Sequence, residues 1–366
     1  MRSWGSVQSI FNRARSGASG SEYAMNAKTA SVTAIAVLIV SACFGSDAKG
    51  HQAPPIDFSK FAAYSPQANE GDFVIGPPYH DAPELQVRSN VPKGSVYHLL
   101  MKSEDSKIYP GIVKTQPGKI VPYTRKVTVY VPSQYIPGTA APFFVSQDSL
   151  GQGEIPTILD NMIADHRLPA MVGIMIDSGG SDAQGSQRGL EYDTLSPWYA
   201  NFIETEVLPL VSRECHVQLT KDPNGRMTMG GSSGAACAFT MAWYRTDLYH
   251  RVLSYSGTFV NQQWPPDPEN LHGAWEYHDK LIPNSRTKPI RIWMEIGEHD
   301  IRYQDEESTY HNWVMANQRM ASVLKNKHYH YQYVFARDAR HVDWGVVRQT
   351  LPQALEWVWK GYPIKK

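Results

Sequence analysis

The chain has 366 residues, and its 35 lysines and arginines balance 35 aspartates and glutamates, so its formal net charge is zero. A balanced charge without a basic stripe argues against nucleic acid and acidic membrane surfaces as partners. The 10 tryptophans, 20 tyrosines and 11 phenylalanines are ample for a large packed core.

The first fifty residues are predicted to be a targeting segment. Counted from Met25, Lys28 precedes an apolar run over residues 32–40 and then small residues that end at Cys43. The run is too short to span a bilayer as a helix, so a cleaved export signal is favoured. The letters VSAC also resemble a bacterial lipoprotein box, which would place a lipid on Cys43, and counting from Met1 gives a transit-peptide-like composition.

These features divide the chain into three parts. Residues 1–50 form the targeting segment, residues 51–84 a polar, proline-containing linker, and residues 85–366 the folded domain. We therefore expect a protein that is exported to the periplasm or lipid-anchored to the bacterial envelope. The other two cysteines, Cys215 and Cys237, are either two buried thiols or a disulfide formed in an oxidising compartment.

The folded domain begins with two strands and continues with strands and helices in alternation. Segments 95–103 and 124–132 alternate apolar and polar residues, which predicts antiparallel edge strands. Apolar runs predict buried strands at 141–148, 170–177, 226–230, 251–257, 290–297 and 331–337. Apolar residues at helical spacing predict helices at 154–165, 197–215, 235–244, 310–326 and 345–359. This alternation predicts an α/β fold with a mostly parallel sheet and helices on both faces.

A glycine-rich turn joins strand 226–230 to the alanine-rich helix that follows it. Its letters GGSSG, residues 230–234, match G-x-S-x-G, the sharp turn that lifts a serine hydroxyl above a sheet. In this frame Ser232 is the candidate nucleophile, and the amide of Ser233 is a candidate oxyanion donor at the positive end of the helix. A second oxyanion donor is expected in the loop after strand 141–148, from the backbone of Gln147 or Asp148.

The candidate acid and base follow later strands. In folds with this turn, the acid and then the histidine come after the serine along the chain. His341 lies in the loop after the last predicted strand and is the candidate base. Asp300, in the polar segment that follows strand 290–297, is the candidate acid, and Glu298 and Asp305 compete with it.

Several stretches together carry a family resemblance: TRKVTVYVP, VSQDS, PTILDNMI, RGLEYDTLS, MGGSSGAACAFTMAW, GEHD, WVMANQRMASVL and ARHVDWG. They resemble the enterochelin-esterase-like branch of the α/β-hydrolase superfamily, which is related to carbohydrate feruloyl and acetyl esterases. The resemblance extends over about residues 91–362 and keeps the order of the family. It implies an α/β-hydrolase fold and a Ser–Asp–His hydrolase, with the three roles on Ser232, Asp300 and His341.

Two further segments are candidates for substrate binding. Arg188 and Glu191 are similar to the family's Arg-x-x-Glu element, which either pins a loop through an ion pair or contacts the substrate. The polar, proline-rich segment 258–288 is long enough for a lid or a binding loop. Its Trp264 and Trp275 either stack on a sugar or phenolic ring or anchor the loop to the body of the protein.

The sequence thus predicts a serine esterase that hydrolyses a carboxylic ester of the carbohydrate or siderophore type through an acyl-enzyme on Ser232. An acyltransferase of the mycolyltransferase kind and a surface binding protein without turnover are the alternatives. The expected partner is a small-molecule or carbohydrate ester, and the membrane is contacted only through a lipid on Cys43. No metal or organic cofactor is expected, because we find no HExxH, EF-hand, P-loop or GxGxxG motif.

Overall fold

The computed structural model describes residues 61–65, 68–111, 119–179 and 187–364. The described residues belong to the unit Gly50–Lys366, and the second unit, Met1–Lys49, lies outside them. The predicted export signal, the lipoprotein box and Cys43 therefore also lie outside the described residues. Within the described part of the chain, no helix is long and apolar enough to cross a membrane.

Most of the strands form one sheet. The strands are β1 (Ala62–Ala63), β2 (Gly71–Ile75), β3 (Ser95–Lys102), β4 (Thr124–Val131), β5 (Ala140–Ala141), β6 (Phe143–Gln147), β7 (Val172–Ile176), β8 (Gln218–Leu219), β9 (Arg226–Gly231), β10 (Arg251–Tyr255), β11 (Arg291–Gly297) and β12 (His330–Ala336). The large sheet has ten strands in the order β1-β2-β12-β11-β10-β9-β6-β7-β4-β3, and β5 pairs with β8 separately. Its pairs are parallel except β3–β4 and β4–β7, so the predicted antiparallel edge is confirmed.

Helices connect the parallel strands. They are α1 (Ile155–Ala164), α2 (Gln187–Tyr192), α3 (Trp198–Phe202), α4 (Leu208–Glu214), α5 (Ser233–Tyr244), α6 (Trp313–Asn326) and α7 (Trp344–Trp359). A π-helical turn, Ile203–Val207, joins α3 to α4 within the segment predicted as one helix. The remaining short helical turns are Pro83–Leu85, Ser103–Asp105, Pro223–Gly225, Gly273–Trp275, Tyr277–Leu281 and Glu307–Thr309.

The helices cover both faces of the sheet, as the alternating pattern predicts. On one face, Leu159 of α1 and Leu355 of α7 pack in a core that includes Phe144 of β6. On the other face, Phe239 of α5 packs in a core that includes Phe143 of the same strand. Because adjacent residues of β6 enter opposite cores, the strand needs apolar residues on both sides, which explains its continuous apolar run. The α/β-hydrolase fold class is confirmed.

The sheet begins earlier in the chain than the sequence predicts. β2 pairs in parallel with β12, with Phe73 opposite Val334, and β1 pairs with β2. The assignment of residues 51–84 as a linker is therefore wrong where the structure describes that range. Residues 71–75 carry one short apolar run between prolines and polar residues, and such a run gives little periodic signal until its pairing partner is known.

Candidate active site

Loops from four neighbouring parallel strands meet at the carboxyl edge of the sheet. Ser232 follows β9, Thr258 follows β10, Asp300 follows β11 and His341 follows β12. These strands lie side by side in the order β12-β11-β10-β9. Since ligands of open α/β sheets bind outside the carboxyl ends of the strands, polar side chains at this edge are candidates for function.

Ser232 lies in a strained turn between β9 and α5. Its φ is 58° and its ψ is −130°, a conformation that costs a non-glycine residue roughly 1–3 kcal/mol. A Cβ on Gly230 would lie 2.5 Å from the carbonyl carbon of Gly234, and a Cβ on Gly234 would lie 3.1 Å from the Cβ of Gln147. The glycines around the serine therefore permit close approach of the strand, the helix and the neighbouring loop.

Asp300 and His341 form a hydrogen-bonded pair. Asp300 Oδ1 lies 2.6 Å from His341 Nδ1. The Asp300 side chain is fully buried, and that of His341 is 24% exposed. An ionised carboxylate only accepts hydrogen bonds, so we assign the imidazole proton to Nδ1, which leaves Nε2 of the neutral ring as an acceptor. An imidazole held in this tautomer can take a proton from a serine hydroxyl.

The loop that carries His341 packs against the turn that carries Ser232. A Cβ on Gly231 would lie 3.1 Å from Val342 Cγ1, so the residue after His341 contacts the residue before the serine. The Val342 amide donates to Ser256 Oγ at 2.9 Å. These contacts fix the position of the imidazole loop relative to β9 and β10.

The two competing carboxylates are engaged elsewhere. Glu298 Oε2 accepts a hydrogen bond from the Asp338 amide at 2.9 Å. Asp305 Oδ2 accepts from Arg302 Nε at 2.5 Å. Asp300 is therefore the one of the three candidate acids that contacts His341.

The two predicted oxyanion elements differ in their surroundings. Ser233 is the first residue of α5, where the amides have no partner within the helix and the helix dipole is positive. The Asp148 amide donates to the Tyr192 hydroxyl at 3.1 Å, so this amide has a partner in the structure, and its role as the second donor stays a prediction. Gln147 packs beside Gly234 in the first turn of α5, and its role as a donor stays a prediction.

Comparison with protein families assigns the chain to a family. The model of the family described as "Putative esterase" matches residues 119–358, which include every residue discussed above at the carboxyl edge. The chain belongs to this esterase family. Carboxylic ester hydrolysis is therefore the class of reaction assigned to it. A separate comparison with curated proteins gives no match.

Solved structures with a similar fold include two esterases. The enterobactin esterase from Shigella flexneri, solved with enterobactin, is 18% identical with a TM-score of 0.53, and the match covers 74% of this chain and 60% of that one. The chain thus spans less than two thirds of that enzyme. A ferulic acid esterase from Anaeromyces mucronatus, in complex with ferulic acid, is 14% identical with a TM-score of 0.54, covering 76% and 96%. At these identities the likeness shows the fold.

Arg188 and Glu191 of the esterase do not pair with each other. Arg188 forms an ion pair with Asp148 at 2.7 Å. Glu191 is 2% exposed and accepts two hydrogen bonds from the buried Arg125, at 2.6 Å and 2.9 Å. The prediction that Glu191 contacts the substrate is therefore wrong, because its carboxylate is enclosed by partners that hold α2 against β4. Substrate contact by Arg188 stays a prediction.

The two tryptophans of segment 258–288 have opposite environments. Trp275 is 1% exposed, and the Arg319 guanidinium lies 5.2 Å from its ring centroid. Trp275 therefore anchors the segment to α6, and its assignment as a substrate-stacking residue is wrong. Trp264 is 52% exposed, so its role in substrate stacking stays a prediction.

Thr258 is a candidate functional residue that the sequence reasoning missed. Its Oγ1 lies 3.4 Å from Ser232 Oγ and 3.3 Å from the indole nitrogen of Trp313. The signal was available, because Thr258 follows a predicted buried strand that neighbours the strand of the serine. Like Asp300, Thr258 is a polar residue that follows a buried strand, where ligands of such sheets bind.

Asp193, the last residue of RGLEYD, was also missed. It is 3% exposed, and burial raises its pKa to about 7, whereas the Ser233 side chain and Arg188 lower it. A carboxyl group that titrates near neutral pH therefore lies beside the predicted oxyanion donor, where its charge affects the local potential. Sequence alone offers no sign of this, since the burial comes from packing against α5.

One group of described side chains offers ligands for a metal ion. Glu298, His299 and Asp338 each place one ligand atom within 4.8 Å of the others, and two of the three are exposed. These side chains lie outside the pair formed by Asp300 and His341.

The two remaining predicted thiols, Cys215 and Cys237, are both free and buried, so the prediction of two buried thiols is confirmed.

Glu295 is a buried acid in β11, below the catalytic edge. It is fully buried, and among the described residues neither of its carboxylate oxygens has a hydrogen-bond partner. Burial raises the pKa of Glu295 well above 4.5, and the charges of Asp300 and Asp343 raise it further. The neutral acid is therefore favoured, which avoids a second buried negative charge near Asp300.

Replacing Glu295 with glutamine is expected to remove a pH-dependent loss of stability. Below a pH of about 4.5 both the folded and the unfolded states hold the proton. Above it only the unfolded state releases the proton, so the free energy of unfolding falls by about 1.4 kcal/mol per pH unit until the folded-state pKa is reached. Glu295→Gln has no such slope, and we expect its stability relative to wild type to rise as the pH is raised above about 5.

Urea denaturation across this pH range measures the difference. Glu214→Gln is the matched control, because the Glu214 side chain is 45% exposed and forms a salt bridge with the adjacent Arg213. Its stability relative to wild type should not change with pH by more than a few tenths of a kcal/mol. If the free energies of unfolding of wild type and Glu295→Gln change with pH in parallel, Glu295 is ionised in the folded protein.

Proposed function

We propose that the protein is a serine esterase that forms an acyl-enzyme on Ser232. One observation carries the proposal: the 2.6 Å hydrogen bond between Asp300 and His341, in loops that adjoin a serine on a strained strand-to-helix turn. The bond orients an imidazole with its acceptor nitrogen available. The turn exposes a hydroxyl at the positive end of a helix, where negative charge is stabilised.

The reaction proceeds in two halves. Ser232 Oγ attacks the ester carbonyl carbon while its proton passes to His341 Nε2, and Asp300 stabilises the resulting imidazolium. The Ser233 amide and a second backbone amide near Gln147 hold the tetrahedral oxyanion. The intermediate then expels the alcohol, which takes the proton from His341. Water repeats the sequence on the acyl-enzyme and releases the acid and the free Ser232.

The proposed substrate is a small-molecule or carbohydrate ester with an aromatic acyl group. One esterase of similar fold was solved with ferulic acid, which supports an aromatic acid. The half-exposed Trp264 supplies an aromatic surface in the long segment after β10. A panel of acetyl, short-chain, feruloyl and catecholate esters tests this, and a preference for acetyl over both aromatic esters would contradict it.

Labelling with a fluorophosphonate tests the mechanism. Peptide mass spectrometry should find the adduct on Ser232 in active protein and none after heat denaturation, since only a folded site activates the hydroxyl. An adduct on another serine would remove Ser232 from the mechanism. Product analysis with an alcohol acceptor present distinguishes hydrolysis from acyl transfer.

We also propose that the protein is exported to the bacterial envelope, on the strength of the apolar run 32–40 and the small residues after it that end at Cys43. In fractionated cells the labelled protein should be found in the envelope. Its mass should correspond to cleavage in the first fifty residues, and a mass that includes a lipid on Cys43 would identify a lipoprotein. Full-length labelled protein in the cytosol would contradict export.

A further inference from the structure

A buried threonine contacts the proposed nucleophile. Thr258 is 1% exposed, and its Oγ1 lies 3.4 Å from Ser232 Oγ. Its amide donates to the Ser232 carbonyl oxygen at 3.1 Å, so backbone and side chain both meet the serine. The hydroxyl contact is long for a hydrogen bond, as such contacts often are before substrate binds.

The Thr258 side chain is held from its other side by α6. The indole N–H of Trp313 donates to Thr258 Oγ1 at 3.3 Å. Asn317, one turn further along α6, donates to the Gly257 carbonyl oxygen at 2.8 Å and so fixes the loop that carries the threonine. The orientation of Thr258 therefore depends on α6 as well as on its own strand.

The same end of α6 adjoins the acid and the base. The Trp313 amide donates to the Ile301 carbonyl oxygen at 3.3 Å, directly after Asp300. The Trp313 ring meets the His341 ring edge to face, with the centroids 6.3 Å apart. One residue at the start of α6 thus contacts Thr258, the loop of Asp300 and the ring of His341.

The Thr258 hydroxyl can accept a hydrogen bond from Trp313 and donate one to Ser232 at the same time. A threonine hydroxyl has one proton and accepts at two lone pairs, whereas an indole N–H can only donate. Trp313 therefore occupies an acceptor site of Oγ1, and the Thr258 proton is free to point at Ser232 Oγ. When it does so, Ser232 Oγ accepts from Thr258, and the Ser232 proton is left for another acceptor, which in the proposed mechanism is His341 Nε2.

We propose that Thr258, held by Trp313, is a positioning residue that keeps the Ser232 hydroxyl in the orientation for proton transfer to His341. The proposal rests on the proposed function of Ser232 and adds a residue to it. The Thr258 hydroxyl contacts the hydroxyl of Ser232 and the indole of Trp313, and Thr258 itself is 1% exposed. Its loss should therefore lower the rate of the chemical step and leave substrate binding unchanged.

The main test compares Thr258→Val, which keeps the shape and removes the hydroxyl, with Thr258→Ser, which keeps the hydroxyl. We expect Thr258→Val to lower kcat by about 3- to 10-fold, the worth of one hydrogen bond, with KM within about twofold of wild type. The rate of fluorophosphonate labelling at Ser232 should fall by the same factor. Thr258→Ser should recover kcat to within about twofold of wild type.

A matched control removes a similar hydrogen bond elsewhere. Thr240 is a buried threonine of α5 whose Oγ1 accepts from the Tyr277 hydroxyl at 2.8 Å, away from Ser232. Thr240→Val should leave kcat within about twofold of wild type. Trp313→Phe keeps a ring against His341 and removes the N–H, and combining it with Thr258→Val should cost no more kcat than Thr258→Val alone.

Three results would overturn the proposal: a kcat for Thr258→Val within twofold of wild type, an equal loss in Thr240→Val, or no recovery in Thr258→Ser. If Thr258→Val does not fold, the kcat of Trp313→Phe is compared with that of wild type instead. An unchanged kcat in Trp313→Phe would then overturn the proposal. Failure of the proposed function looks different, because wild-type protein itself would then carry no fluorophosphonate on Ser232.

Discussion

Replacing Ser232 with alanine is expected to lower kcat by about 10⁶-fold, the loss seen when a hydrolase of this mechanism lacks its nucleophile. The proposed acyl-enzyme requires an oxygen at this position, and alanine supplies none. A residual rate above that in water should persist, since the Ser233 amide still stabilises an oxyanion. Steady-state hydrolysis of p-nitrophenyl acetate measures kcat and KM, and circular dichroism checks folding.

Ser254→Ala is the matched control for this substitution. Ser254 is a fully buried serine in β10, next to the strand of Ser232, and its hydroxyl has no hydrogen-bond partner among the described residues. The variant should keep kcat within about threefold of wild type, because no partner is lost. A Ser232→Ala protein that retains even a tenth of the wild-type rate would rule out Ser232 as the nucleophile.

Replacing Asp300 with asparagine is expected to lower kcat by about 10⁴-fold with the fold intact. The Asp300 carboxylate accepts from His341 Nδ1 at 2.6 Å. An asparagine amide that donates at this position favours the opposite tautomer, in which Nε2 carries the proton and cannot accept one from Ser232. Pre-steady-state measurement should place the loss in acylation.

The two rival carboxylates provide the controls. Asp305→Asn removes an ion pair with Arg302, and Glu298→Gln removes the charge that accepts the Asp338 amide. Both variants should retain kcat within about tenfold of wild type, because neither carboxylate contacts the imidazole in the structure. A larger loss in either variant than in Asp300→Asn would mean that a different acid orients His341 during turnover.

The strands and helices after residue 85 follow the sequence prediction closely, for a physical reason. Strands such as β6 and β7 are buried on both faces, so their apolar runs are continuous and easily recognised. The short strand β2 was assigned to a linker, because only five residues pair there and their partner lies more than 250 positions away in β12. Local patterns hold no information about such a partner.

The candidate site shows the same division. Ser232 and His341 follow strands in a fixed order, and the parallel sheet brings strand ends to one edge, so position along the chain selects these two and restricts the acid to the polar segment after β11. The prediction for Glu191 rests on its similarity to a family element, and that for Trp275 on an aromatic residue type in a long segment. Both are buried, Glu191 against Arg125 and Trp275 against the guanidinium of Arg319.

By itself, the order of strands, turns and polar residues determined the fold class of this protein, the edge of the sheet that bears the proposed site, and the serine and histidine proposed for the reaction. Only the tertiary structure decided which carboxylate meets the imidazole, that the Asp148 amide is already occupied by Tyr192, and that Thr258 touches the serine. The reason is that the apolar pattern of a strand depends on residues that are neighbours in the sequence. A contact between two loops depends instead on how far each loop extends once the strands are paired.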